Sequence, residues 1–289
     1  MQSNNPVFRR SEAFNGQSAN VYGNQTYAGN GQTYGGYGSG PAGYEQPGAP
    51  VTTGRPMTID SVVQKTAISL FVVILTAAAT WILTPDMTDS TADIGPLVAA
   101  LTLGSLGAFA LSMVNSFKRV ISPALVLAFC AFEGVALGAF SKFIDATFVS
   151  DSTNLSDNIV VQAVIGTFAA FAGTLAAYKF FDIQVGNKFR TFVIGAMFGM
   201  VALGLLEVVL SMFGSGLGLF GFGGMGFIFA LAGLVLGVFM LILDFDFVEQ
   251  GVRAGIDERE SWRAAFALTV SLVWIYTNLL RILAILNSD

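Results

Sequence analysis

The residues of this 289-residue chain best placed to do chemistry are a few polar groups stranded in apolar sequence: Glu133, Glu207, Asp244, Asp246, Asn278 and Arg281. A charge at the centre of a bilayer costs at least ~2.5–3.5 kcal/mol on insertion scales, so such groups face a bundle interior, a partner or water, and are functional candidates on that ground. A carboxyl taken out of water holds its proton more tightly, which makes these acids candidate pH-responsive groups. Asp244 leads, because it follows the apolar run 231–243 at a depth where it reaches both bundle and solvent. Glu133 sits mid-run, and Glu207 reads equally well as structural or functional. Asp246, with Glu249, reads as an interfacial, solvated group.

Other chemistry is excluded by what the chain lacks. There is no histidine and one cysteine, Cys130, inside an apolar run. The usual zinc ligand, the usual general base and the side chain that most readily titrates near neutrality are therefore missing. No nucleophile–base pair can be assembled, and the reading is a protein that is not an enzyme and carries no cofactor. The run Gly214-Ser215-Gly216-Leu217-Gly218 has neither a preceding strand nor a Lys-Ser/Thr signature, so it is no phosphate cradle. It reads as a flexible outer loop, or as one that folds back as a lid.

The elements that must position these groups are membrane helices. Crossing a ~30 Å hydrocarbon core takes about 20 mostly apolar residues. Windows of that kind cover residues 66–84, 94–117, 124–140, 159–178, 191–213, 227–249 and 264–286. With 54% hydrophobic and 11% charged residues and a mean hydropathy of +0.67, the chain departs far from soluble domains, of which about a quarter is charged. The fold expected is an all-α bundle of seven transmembrane helices in contact with the lipid bilayer. A net charge of −5 leaves no basic patch for nucleic acid. Glycines four apart, Gly134/Gly138, Gly195/Gly199 and Gly233/Gly237, predict close helix contacts in spans three, five and six.

Basic residues set the orientation, since cytoplasmic loops retain Lys and Arg. Arg9, Arg10, Arg55 and Lys65 precede span one, Lys118 and Arg119 follow span two, Lys179, Lys188 and Arg190 follow span four, and Arg253, Arg259 and Arg263 follow span six. The other side carries Asp86, Asp89 and Asp93, then Lys142 with Asp145, Asp151 and Asp157, then the Gly-rich loop. The amino terminus is expected in the cytoplasm. A six-span alternative keeps the last helix at the interface, with Arg281 its weak point as a span. Residues 1–55, rich in Gly, Asn, Gln, Ser and Tyr, have no apolar run to bury and read as a disordered tail; residues 56–289 form the membrane domain. Thr58 or Asp60 caps the first helix.

The run Phe132-Glu133-Gly134-Val135-Ala136-Leu137-Gly138 resembles the glutamate-glycine signature of the Bax inhibitor-1/YccA family of transmembrane Bax-inhibitor-motif proteins. Leu241-Ile242-Leu243-Asp244 resembles its aspartate closing span six, and residues 272–280 its final helix. The resemblance covers Met57 to the carboxyl terminus. It implies six helices around a central one, a bacterial plasma (inner) membrane, and a pH-sensitive leak for Ca2+ or protons gated by two aspartates on spans six and seven. By position the first is Asp244, with Asp246 the competing register. The second falls on Ile275 or Asn278, neither of which titrates, leaving Asp244 to bond Asn278 or pair with Arg281. The other activity the resemblance implies is regulatory, acting on a membrane protease or a stress response through protein contacts, and the Tyr-rich tail would serve it.

Overall fold

The computed structural model describes residues 55–85, 94–148, 158–181 and 185–288. The tail and the acidic stretches around Asp89 and Asp151 lie outside the described residues. Seven helices follow, each long and apolar enough to cross a membrane: α1 Ile59–Leu83, α2 Gly95–Phe117, α3 Pro123–Phe148, α4 Ile159–Phe180, α5 Asn187–Met212, α6 Gly224–Arg253 and α7 Ser261–Leu286, with a 3-10 turn Glu258–Glu260 before the last. The seventh helix is a full span, so the six-span alternative is set aside.

Local chemistry starts and stops these helices. Thr58 is the cap of α1: its hydroxyl accepts from Ser61 N at 3.1 Å while Ser61 Oγ accepts from Thr58 N at 3.1 Å, a reciprocal capping box. Asp60 lies in the first turn. Asn158 caps α4 by accepting from Val160 N and Val161 N, and its amide donates to Asp145 at 2.6 Å, tying the start of α4 to the end of α3. The third helix runs eight residues past the span expected from hydropathy. Lys142, which reads as a loop charge in the sequence, is buried in α3 and donates to Trp81 O at 2.9 Å and Thr84 O at 2.5 Å. A cation there satisfies the orphan carbonyls at the end of α1 and complements its dipole.

The last helix is the hub. It packs on α1, α3, α4 and α6, while α2 lies chiefly on α3 and α5 on α6. In the most apolar window of α7, 56% of residues are buried, against 17% in α2 and in α5. The central helix implied by the resemblance is therefore α7, but four helices rather than six pack closely on it, because α2 and α5 stand outside the first ring. Close approach is built where glycines occur: a Cβ added at Gly138 would lie 2.9 Å from Ala77 Cα, and one at Gly237 would lie 2.7 Å from Ile275 Cγ1. The pair in span five behaves differently. Gly195 and Gly199 have nothing within 4 Å of an added Cβ, so spacing that predicts a helix contact here marks an open face of α5.

Contacts also sort the loops by end. Arg263 reaches the Lys118 and Arg119 carbonyls, Arg259 reaches Ile121 O, and the segment before α1 pairs with the α6–α7 connection through Met57 N to Ile256 O at 2.7 Å and Glu258 N to Arg55 O at 2.8 Å. All described Lys and Arg except Lys142 and Arg281 belong to that end, called the basic end below.

Candidate functional site: three acids fanning out from α6

From Gly224 to Leu243, α6 has no titratable residue; then Asp244, Asp246 and Glu249 arrive within two turns. At 3.6 residues per turn, two residues apart is about 200° of rotation and five apart about 140°, so the three carboxylates must leave the helix in different directions. Each meets a different neighbour. Asp244, 1% exposed, accepts from Ser271 Oγ of α7 at 2.5 Å. Asp246 takes the Arg190 guanidinium of α5 at 2.7 Å and the Gln250 amide at 2.7 Å. Glu249 accepts from the Tyr178 hydroxyl of α4 at 2.5 Å and pairs with Arg253 one turn on.

This geometry corrects two expectations. Asp244 is the acid facing the central helix; Asp246 faces the opposite way. Asp246 is no solvated interfacial group: it is buried in an ion pair, because α5 begins beside it and brings Arg190 into the bundle, where the guanidinium also lies 4.7 Å from the Phe247 ring. The α7 residue opposite Asp244 is Ser271, one helical turn nearer the basic end than Ile275. Ile275 instead fills the space at Gly237.

Neither Asn278 nor Arg281 reaches Asp244. The Asn278 amide donates to Trp274 O at 2.8 Å, and its side chain lies against Gly233. The Arg281 guanidinium donates to Leu219 O at 2.7 Å, with its centre 5.7 Å from the Phe220 ring. Helix α7 runs away from Asp244 toward the other end, so residues seven and ten positions past Ser271 are about 10 and 15 Å too deep at 1.5 Å per residue.

Glu207 belongs to that far end as well. Its carboxylate accepts from the amides of Leu217, Gly218 and Leu219 at 2.7, 2.9 and 3.2 Å. Gly218 adopts φ +76°, the left-handed conformation that lets successive amides converge on one anion. The Gly-rich loop is thus no loose connection: it folds back, buries Leu219, and is held from α5 by Glu207 and from α7 by Arg281. Glu133 stands apart on α3, half-buried, and among the described residues it makes no hydrogen bond or ion pair.

The six candidates therefore separate into a basic-end pair (Asp244, Asp246), a mid-span acid (Glu133) and a far-end group (Glu207, Asn278, Arg281). Sequence reasoning missed Ser271, Tyr178 and Gln250, which carry no signal as ordinary polar residues in apolar helices, and took Arg190 for a loop charge. Among the described residues no three metal-ligating side chains come together. Ca2+ takes six to eight oxygens, and acids that diverge from one helix do not build that cage.

A family model described as Bax inhibitor 1 like matches residues 5–288. The chain belongs to that family. Within the Bax inhibitor 1 like match, residues 5–55 are included, so the family relation extends over most of the segment that the sequence motifs leave outside it. No curated protein matches the chain.

Proposed function

We propose that this Bax inhibitor 1 like bundle is a regulated leak for cations or protons, with Asp244 as its titrating group and with no catalytic step. One observation carries the reading: a carboxyl, 1% exposed, closes the apolar run of α6 and is held by a single hydroxyl of the central helix. Burying such a group unpaired with any cation is costly, so its presence there speaks for use rather than stability. Gain or loss of one proton changes the α6–α7 contact itself: the carboxylate accepts from Ser271, whereas the acid has a proton of its own to place. Positive charge at the basic end supports a cytoplasmic side for that end and the amino terminus, and the family resemblance supports a plasma membrane. Ca2+ or protons are the ions this reading offers.

The test is flux through purified protein in liposomes loaded with ion-sensitive dyes. Wild type should leak in a pH-dependent manner, and Asp244→Asn, which keeps the size and removes the proton, should flatten that dependence. Ser271→Asp sets a second carboxyl at the observed contact and should split the profile into two steps, as coupled acids titrate. Unchanged pH dependence in Asp244→Asn with loss in Glu133→Gln would move the titrating group to α3. Absence of flux from folded protein at every pH would overturn the leak.

A second reading, regulation of a membrane protease or another membrane protein, draws on the strap at residues 55–58. There the chain preceding α1 is hydrogen-bonded to the α6–α7 connection, so a partner holding the tail would pull on the two helices that carry Asp244 and Ser271.

A further inference from the structure

Helices α1 and α4 both pack on α7 and leave a fissure between them. It comprises two lobes of about 540 and 840 Å³ that meet at Leu70, Ile74 and Phe168. The walls are open to the bilayer, with Ile74 49% and Phe168 46% exposed, while the floor on α7 is closed by the buried Leu268, Leu272 and Tyr276. Lining residues of α1 run from Ile59 to Ile82. At 1.5 Å per residue that is ~35 Å, the depth of a hydrocarbon core.

Its chemistry fits neither water nor a helix. Most polar groups along it are already engaged: Tyr276 and Ser141 share a hydrogen bond at 2.6 Å, and Glu249 is taken by Tyr178 and Arg253, which leaves the Thr66 hydroxyl as the one buried polar group without a partner among the described lining residues. Two lobes joined at an aromatic residue suit a flexible chain better than a rigid cylinder 10–12 Å across. At the basic-end mouth stands Lys179, exposed and without an ion pair among the described residues. An apolar slot of bilayer depth with one unmatched cation at its rim is complementary to an acyl chain ending in a phosphate.

We propose that the α1/α4 fissure binds one anionic phospholipid, its acyl chain lying on α7 and its phosphate at Lys179. The site is independent of the leak reading, since it needs neither flux nor titration. It also differs from the annular lipid that coats any span, because it has a floor made by the central helix and a headgroup preference.

Native mass spectrometry of the full-length protein, released from micelles doped with phosphatidylglycerol or phosphatidylcholine, tests this. Wild type should retain a single phosphatidylglycerol in preference to phosphatidylcholine, and Lys179→Gln should reduce that preference about fivefold, the worth of one basic side chain near an anionic headgroup. Ala67→Trp in one lobe and Ala78→Trp in the other should each lower lipid retention while leaving Tm unchanged. Equal retention of the two lipids by wild type, or an unaltered preference in Lys179→Gln, whose exposed side chain is not needed for folding, would overturn the proposal. So would wild-type retention in both filled variants.

Discussion

At the basic end, ions are matched with ions, though Arg263 and Lys65 also reach backbone carbonyls: buried Arg190 with Asp246 at 2.7 Å, buried Arg263 with Glu260 at 2.7 Å, and half-buried Lys65 with Glu258 at 3.2 Å. At the opposite end they are matched with backbone. Glu207 gathers three amides, Arg281 takes a carbonyl of the same loop, and Lys142 closes the last turn of α1. A backbone partner cannot titrate or swing away, so the far end is a fixed closure of helix ends and loop. Side-chain partners can be protonated, exchanged or pulled apart, and they join different helices: α5 to α6, and the α6–α7 connection to α1. Asp244 lies on the exchangeable side of this divide, bonded by a side-chain hydroxyl of α7.

The sharpest test of the contrast is Arg263, a guanidinium with no exposed surface that holds Glu260 and the Lys118 and Arg119 carbonyls together. Removing one partner of a buried pair strands the other, which costs about 3–5 kcal/mol. Arg263→Met should therefore lower the stability of the detergent-solubilised protein by about that amount, read from thermal unfolding, and Glu260→Gln in the same chain should recover part of it. If the single variant unfolds like wild type, side-chain pairing is not what secures the basic end.

A smaller and more local loss is expected at the other end. Glu207→Ala leaves the amides of Leu217, Gly218 and Leu219 without their acceptor, at about 1–3 kcal/mol for each buried group that finds no water. The loop lies near solvent, so much of this is recovered by hydration. The expected signature is faster hydrogen exchange and protease cleavage within residues 214–223, with helix exchange elsewhere unchanged. Global unfolding would show that the loop closure supports the whole bundle.

How far these ends can be read from sequence depends on what the partner is. Seven spans and their order follow from hydropathy because burial against lipid is set residue by residue. Asp244 stands out by the same logic, since one acid after a long apolar run is conspicuous. Its partner does not: Ser271 is unremarkable in sequence, and only the relative depth of α6 and α7 brings it level with Asp244. Lys142 misleads for the opposite reason, because a charge read as a span boundary is consumed by carbonyls of α1 some sixty residues earlier. Gly195 and Gly199 show that small-residue spacing states what a helix can do, and packing decides whether it does.

The smallest effect concerns where the membrane domain begins. The strap at residues 55–58 is integral to the basic end: Met57 is 2% exposed, its amide donates to Ile256 O, and Thr58 caps α1. Residues 1–50 carry no apolar run that could pack in the same way, yet the family match includes nearly all of them. Deleting residues 1–50 should leave Tm and membrane level within error of wild type. Extending the deletion through Thr58 should lower both, because it opens the Met57 pocket and removes a cap worth about 1 kcal/mol. Two outcomes would redraw the boundary. A drop in Tm from the shorter deletion would mean that part of the segment packs on the bundle, and the basic end would then hold a further contact. Equal stability of both truncations would mean that the strap is held by the α6–α7 connection without supporting it, and that α1 alone anchors this end.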